Sequence, residues 1–140
     1  MIDKQKILIV EDDSDISEHL VLFYQHQGFD TKAVEDGALV IGAVKDYQPD
    51  LIIMDLMLPN KNGIECCTEI REFSNVPIIM LTASAEQTDK YVGLESGADD
   101  YVCKPFDVME LILRSKAILQ RTAGTVSFTT LTVVPEEAKV

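Results

Sequence analysis

Lys6-Ile7-Leu8-Ile9-Val10-Glu11-Asp12-Asp13 and Leu51-Ile52-Ile53-Met54-Asp55 share one design, a nearly unbroken apolar run of strand length that ends abruptly in carboxylates. A strand with one wet face alternates apolar and polar residues. Continuous runs therefore mark strands covered on both faces, as in parallel sheets. Val76-Pro77-Ile78-Ile79-Met80-Leu81 is a third such run, and residues 31–34 and 101–103 are weaker ones. Helix starts are signalled between them by Ser14, by Asp36, and by Asn62 with Glu65 three residues on. Ser84 with Gln87, and Asp107 with Glu110, repeat that spacing. Gly28 and Gly97 supply stops.

Five strand–helix repeats predict an α/β fold, a doubly wound (βα)5 sheet of five parallel strands with helices on both faces. Right-handed crossovers leave few topologies, of which the flavodoxin-like order 2-1-3-4-5 is the expected one. In that order strands 1 and 3 are neighbours, and ligands collect beyond their carboxyl ends. Glu11 and Asp12 follow strand 1, Asp55 closes strand 3, Thr82 follows strand 4 and Lys104 follows strand 5. All five should meet at one edge of the sheet.

Three carboxylates within a few ångströms repel one another and raise each other's pKa unless a cation sits among them. Mg2+ suits such a cluster, because it prefers oxygen ligands, keeps several waters and uses one or two carboxylates plus substrate phosphate. Lys104 adds a point charge for a phosphoryl oxygen. A carboxylate flanked by a metal, a lysine and a hydroxyl has what phosphoryl transfer requires, with Asp55 as nucleophile. Singly, each residue has a plainer reading as a cap, a turn hydroxyl or a solvated charge; their joint placement removes it. Asp13 keeps the plainer reading as a helix cap or surface group. His19 and His26, seven apart on the first helix, are expected to be exposed and without a role.

At 140 residues with 46% hydrophobic content the chain is about one domain long and can build a core. No stretch approaches the roughly 18 continuous apolar residues of a membrane span, and the start of the chain lacks a signal-peptide core, so a cytoplasmic protein is expected. Three cysteines, Cys66, Cys67 and Cys103, are odd in number and lack metal-ligand spacing, which reads as reduced, partly buried thiols. Twelve Lys plus Arg against 24 Asp plus Glu give a formal charge of -12. Such a surface repels phosphate backbones, which argues against direct nucleic-acid binding by this segment.

The residues just named, together with Leu8-Ile9-Val10-Glu11-Asp12-Asp13, Met54-Asp55-Leu56-Met57-Leu58-Pro59, Leu81-Thr82-Ala83 and Lys104-Pro105-Phe106, resemble the receiver domain of two-component response regulators over about residues 5–120. The resemblance implies that Asp55 is phosphorylated by a sensor histidine kinase with Mg2+ as cofactor. It implies that Asp12 ligates the metal directly, that Glu11 acts largely through water, and that the Met57 backbone carbonyl is a further ligand. Lys104 would contact the phosphoryl group, Thr82 and Tyr101 would be the switch pair, and the Lys104-Pro105 bond would be cis. Many receivers carry Asp where Glu11 stands, which retains the charge and shifts the water network. Met57 and Ser84 occupy positions that influence dephosphorylation in the family.

Gly97-Ala98-Asp99-Asp100-Tyr101, with Lys104-Pro105-Phe106 and Glu110-Leu111 through Arg114, resembles the OmpR/PhoB subfamily of DNA-binding regulators. Its members form homodimers through their fourth helix, fifth strand and fifth helix. Carried over, Lys90 would pair with Glu110 across the interface, and Asp99 or Asp100 with Arg114, around Leu94 and Leu113. The last helix supports this, since Leu111, Ile112, Ile118 and Leu119 form one stripe while Met109 and Leu113 exceed it.

Residues 121–140 differ in kind. Arg121-Thr122-Ala123-Gly124 reads as a linker, and residues 125–134 are rich in Thr and Val with no partner segment. The tail is expected to be either disordered or the start of a truncated winged-helix domain, so DNA would be bound only through a missing C-terminal domain. A stand-alone receiver working through protein contacts is the alternative. A haloacid-dehalogenase-type phosphatase would want a second Asp two residues after Asp55, where Met57 stands.

Overall fold

A computed structural model describes residues 4–83 and 97–128. The elements are β1 (Lys6–Val10), α1 (Ser14–His26), β2 (Asp30–Val34), a 3-10 turn (Gly37–Leu39), α2 (Val40–Tyr47) and β3 (Leu51–Asp55). They continue with α3 (Gly63–Ile70), β4 (Ile78–Thr82), β5 (Asp100–Cys103) and α4 (Val108–Phe128). All strand pairs are parallel, in the order β2-β1-β3-β4-β5. The expected flavodoxin-like order is the observed one. The helix expected from Ser84 and Gln87, with Lys90 and Leu94 on it, lies outside the described residues.

Side chains on a strand alternate between faces, and each apolar run accordingly feeds two cores. Ile7, Ile9, Leu51, Ile53, Ile79 and Leu81 pack with α1 and α4. Leu8, Val10, Ile52, Met54, Ile78 and Met80 pack with α2 and α3. Only β2, at the sheet's edge, is largely exposed. Two helix signals act as read: Asn62 and Glu65 form a reciprocal capping box on α3, and Asp107 accepts from the Met109 amide at 2.9 Å at the start of α4. On α1 the cap is Asp13, whose carboxylate accepts from the Asp15 and Ile16 amides at 3.0 and 3.2 Å. Gly28 follows α1 at φ +93°, a left-handed backbone that a side chain would resist.

β2 and β5 each start one residue earlier than read, at Asp30 and Asp100, and two further boundaries differ from the sequence reading. The fourth strand begins at Ile78 and includes Thr82; Pro77 has no N–H to donate and contributes only its carbonyl, to the Ile52 amide. The break expected at Arg121-Thr122-Ala123-Gly124 is absent, because α4 continues to Phe128. Arg and Ala are strong helix formers, and one interior glycine costs only about 1 kcal/mol. Residues 129–140 lie outside the described residues. Among those described, no helix is long and apolar enough to cross a membrane.

α4 buries Leu111, Ile112, Ile118 and Leu119 against the sheet, while Met109 and Leu113 stay 44% and 60% exposed. The stripe is therefore narrow, and the two extra apolar residues face outward. At its centre the buried Ser115 hydroxyl donates to the Leu111 carbonyl at 2.8 Å and lies 2.6 Å from the Tyr24 hydroxyl, joining α4 to α1. Because the serine proton is engaged, Tyr24 is the donor in that contact. Ser115→Ala strands a buried phenol and should cost about 1–3 kcal/mol, whereas Tyr24→Phe removes one neutral bond and should cost about 1 kcal/mol. Urea unfolding of the two variants checks the order, and the reverse order would refute the assigned donor.

Candidate functional site

The step of two that sorts the strands into faces also builds the site. Two residues beyond Ile9, Ile53 and Val102, all on the α1 side of the sheet, the same pleat carries Glu11, Asp55 and Lys104. The β1–β3 register pairs Val10 with Met54, which brings Glu11 level with Asp55. Lys104 reaches across the end of β4 to both. Its Nζ lies 2.9 Å from Glu11 Oε1 and donates to Asp55 Oδ2 at 3.1 Å. Exposed Asp12 completes the group: Glu11, Asp12 and Asp55 each offer a carboxylate oxygen within 4.8 Å of the others.

Two of these acids are out of water, Glu11 fully and Asp55 to within 4%. Burial disfavours a carboxylate, and it pushes Glu11 up to about 7 against the pull of Lys104 and the Asp13 amide. Burial also works against the Lys104 ammonium, but contact with Glu11 and Asp55 outweighs it and raises that pKa. The Asp13 amide donates to Glu11 Oε2 at 3.1 Å, whereas buried Oε1, close to Lys104 yet outside hydrogen-bond angles, has no hydrogen-bond partner. A buried carboxylate oxygen that has only the Lys104 ion pair, beside two further carboxylates, belongs to a donor set that fits a hard divalent cation or its bound water.

The loop after β3 is held tightly to the site. The Met57 amide donates to Asp55 Oδ1 at 3.2 Å, and the Leu56 amide donates to the Leu81 carbonyl at 2.7 Å. The Gly63 amide closes the loop onto the Leu56 carbonyl at 2.8 Å. A methyl at Gly63 would come within 2.5 Å of the Asp55 carbonyl oxygen, so only glycine lets α3 start this close to the acid. Met57 itself is 68% exposed.

Thr82, buried at the end of β4, accepts at its carbonyl from the Lys104 amide at 2.6 Å. The β4–β5 register pairs Met80 with Tyr101 and Thr82 with Cys103. Thr82 and half-buried Tyr101 are thus diagonal neighbours on the α2/α3 side of the sheet. The Lys104-Pro105 bond is cis. Sequence reasoning placed all of these together but missed the groove beside them, of about 600 Å3, lined by Ile16, His19, Leu20, Lys104, Pro105 and Phe106. Its lining comes half from α1 and half from the turn before α4, which no local pattern links.

Other expectations fall as follows. His19 and His26 are exposed. The cysteines are free thiols, Cys66 and Cys67 buried and Cys103 half-buried, and burial pushes the Cys66 thiol up to about 11. Arg114 contacts Asp100 at 3.0 Å and Glu110 at 3.0 Å within its own chain. Asp99 belongs to a different cluster, accepting from Arg71 at 3.0 Å and from the Ile78 amide at 2.9 Å.

The family model for the response regulator receiver domain matches residues 7–116. The chain belongs to the response-regulator receiver family. It is 48% identical over 118 residues to the DNA-binding response regulator MtrA of Mycobacterium tuberculosis, covering 84% of this chain and 52% of MtrA. To the transcriptional regulatory protein BaeR of Escherichia coli it is 43% identical over 116 residues, covering 83% of this chain and 48% of BaeR. The BeF3-activated receiver domain of Klebsiella pneumoniae RstA superposes with a TM-score of 0.80 at 28% identity, covering 83% of this chain and 99% of that one. This receiver chain thus spans about half the length of MtrA and BaeR.

Glu11 gives a pH signature. A free glutamate loses its proton near 4.5 and Glu11 in the folded receiver near 7. Between those values the folded form binds more protons than the unfolded one, so rising pH withdraws stability. In chelator, urea unfolding should show wild type losing stability relative to Glu11→Gln from pH 4.5 to 7, and Mg2+ should flatten the difference. A relative gain across that window would show that Lys104, not burial, dominates Glu11.

Proposed function

We propose that this receiver accepts a phosphoryl group on Asp55 from the phosphohistidine of a sensor histidine kinase and answers with a change of shape that controls transcription. The observation that carries the reading is the Lys104 ammonium between Glu11 and Asp55, with Asp12 alongside. An Asp55 carboxylate oxygen forms the O–P bond as the P–N bond to the donor imidazole breaks, the imidazole keeping the electron pair and taking a proton. Lys104 neutralises phosphoryl charge and the Met57 amide orients the acid. Glu11, largely through water, with Asp12, Asp55 and the Met57 backbone carbonyl, would hold Mg2+, which supplies charge neutralisation and alignment when bound.

Phosphorylation adds about -1.5 to -2 charge and strong acceptor oxygens. Thr82 gains a hydrogen bond by moving toward them, and Tyr101, diagonal to it on the same face, turns into the vacated space. The output is dimerisation of OmpR/PhoB type. Lys90 pairs with Glu110 of the partner subunit, Asp100 or Asp99 with Arg114 of the partner subunit, around Leu94 and Leu113. Exposed Met109 and Leu113 beside Arg114 support that surface. Residues 121–140 lead into a DNA-binding domain, and the protein works in the cytoplasm.

Two experiments test this reading. Asp55→Asn should abolish phosphate incorporation from acetyl phosphate and Mg2+, read by intact mass; unchanged incorporation would refute the site. Arg114→Ala should weaken the phosphorylated dimer by about two- to fivefold, the scale of an exposed ion pair. Sedimentation showing an unaltered dimer would remove the interface.

A further inference from the structure

The loop that carries Met57, residues 56–62, is tied at its base but also at its tip, and the tip contacts come from an element with no part in the site. The Gly37 amide donates to the Pro59 carbonyl at 3.1 Å, and the Asn60 side-chain amide donates to Asp36 Oδ2 at 2.6 Å. The other Asp36 oxygen accepts from the Ala38 amide at 2.8 Å, capping the 3-10 turn that precedes α2. One carboxylate thus joins the turn after β2 to the tip of the loop after β3. The approach leaves no room for adjustment, since a methyl on Gly37 would overlap the Lys61 carbonyl, and Cys66 closes the corner with its thiol 3.4 Å from the Gly37 carbonyl. Asn60 sits at φ +69°, left-handed backbone that asparagine tolerates better than most residues.

We infer that Asp36 and Asn60 are a positioning pair for the phosphoacceptor site, fixing the tip of the 56–62 loop so that the Met57 peptide is set against Asp55 before any metal arrives. The inference rests on the phosphoacceptor reading for its consequence but on the loop contacts for its geometry. Neither residue touches Glu11, Asp12, Asp55 or Lys104. They act through the backbone between Asn60 and Leu56, whose other end is fixed by the Leu56 to Leu81 and Gly63 to Leu56 hydrogen bonds. With both ends held, the Met57 amide stays on Asp55 Oδ1 and its carbonyl stays available. With the tip released, the same peptide samples orientations that a metal must select among, which lowers affinity without altering any ligand.

Asn60→Gly removes the amide and keeps the left-handed backbone legal. Asp36→Ser keeps a cap for Ala38 and removes the acceptor for Asn60. In metal-free protein both should speed hydrogen exchange at the Met57 amide, and by titration calorimetry both should raise the Mg2+ Kd about three- to tenfold, less than direct outer-shell partners because the pair acts through backbone. Asp55 phosphorylation by acetyl phosphate should slow at limiting Mg2+ and return to within about twofold of wild type at saturation, a split that a merely structural role would not produce. Unchanged Mg2+ affinity and Met57 exchange in both variants would overturn the inference, as would a rate loss that persists at saturating Mg2+ with unaltered affinity. Wild type that binds Mg2+ yet takes no phosphate would defeat the phosphoacceptor reading alone, leaving the positioning pair to be judged by affinity and exchange.

Discussion

Two carboxylates, Glu11 and Asp55, are held out of water beside each other at the carboxyl edge of a parallel sheet, with the Lys104 ammonium touching both. Removing either charge from solvent is costly, and their proximity adds repulsion; a lysine answers only part of this, as the high proton affinity of Glu11 records. The arrangement survives because the strands behind it are anchored by apolar residues on both faces. Each acid is the next inward position after a buried isoleucine. The hydrophobic core supplies the free energy that keeps an electrostatically frustrated edge together. What remains unneutralised is negative charge on oxygen donors, a set suited to a hard cation.

Around that edge the chain is braced from several directions. α1 starts directly behind Asp12 with Asp13 as its cap, so the acidic turn has little freedom. Gly63 allows α3 to begin almost in contact with the Asp55 carbonyl. Lys104 is fixed through its backbone to Thr82 and through its side chain to the acids, which couples the last strand to Asp55 by two independent contacts. A disturbance at Asp55 therefore has direct contacts into β5 through Lys104 and into the start of α3 through the 56–63 loop.

The sheet and the cluster were legible because one rule, the alternation of side chains along a strand, governs both. Ile9 followed by Glu11 and Ile53 followed by Asp55 state in sequence what the register delivers in space. Features set by contacts between distant segments were not legible. Asp36 was legible as a cap, but its pairing with Asn60, 24 residues on, was not, and the groove between α1 and the turn before α4 has no local signal. Asp99 and Asp100 looked interchangeable, yet adjacent residues at a strand's start diverge: Asp99 lies before β5 against Arg71, and Asp100 opens the strand facing Arg114. The end of α4 was misread because Gly124 weakens a helix without breaking it.

Arg114 already holds Asp100 and Glu110 within its own chain, at the exposed rim of α4. Any neighbour that recruits this guanidinium must first supplant contacts of the same chemical kind, so the polar contribution to association is a small difference between like contacts. Attraction then has to come from the apolar side chains alongside, Leu113 and Met109. The charges act as a filter: a surface lacking matching acids would leave Arg114 closed on itself and gain only the apolar contact.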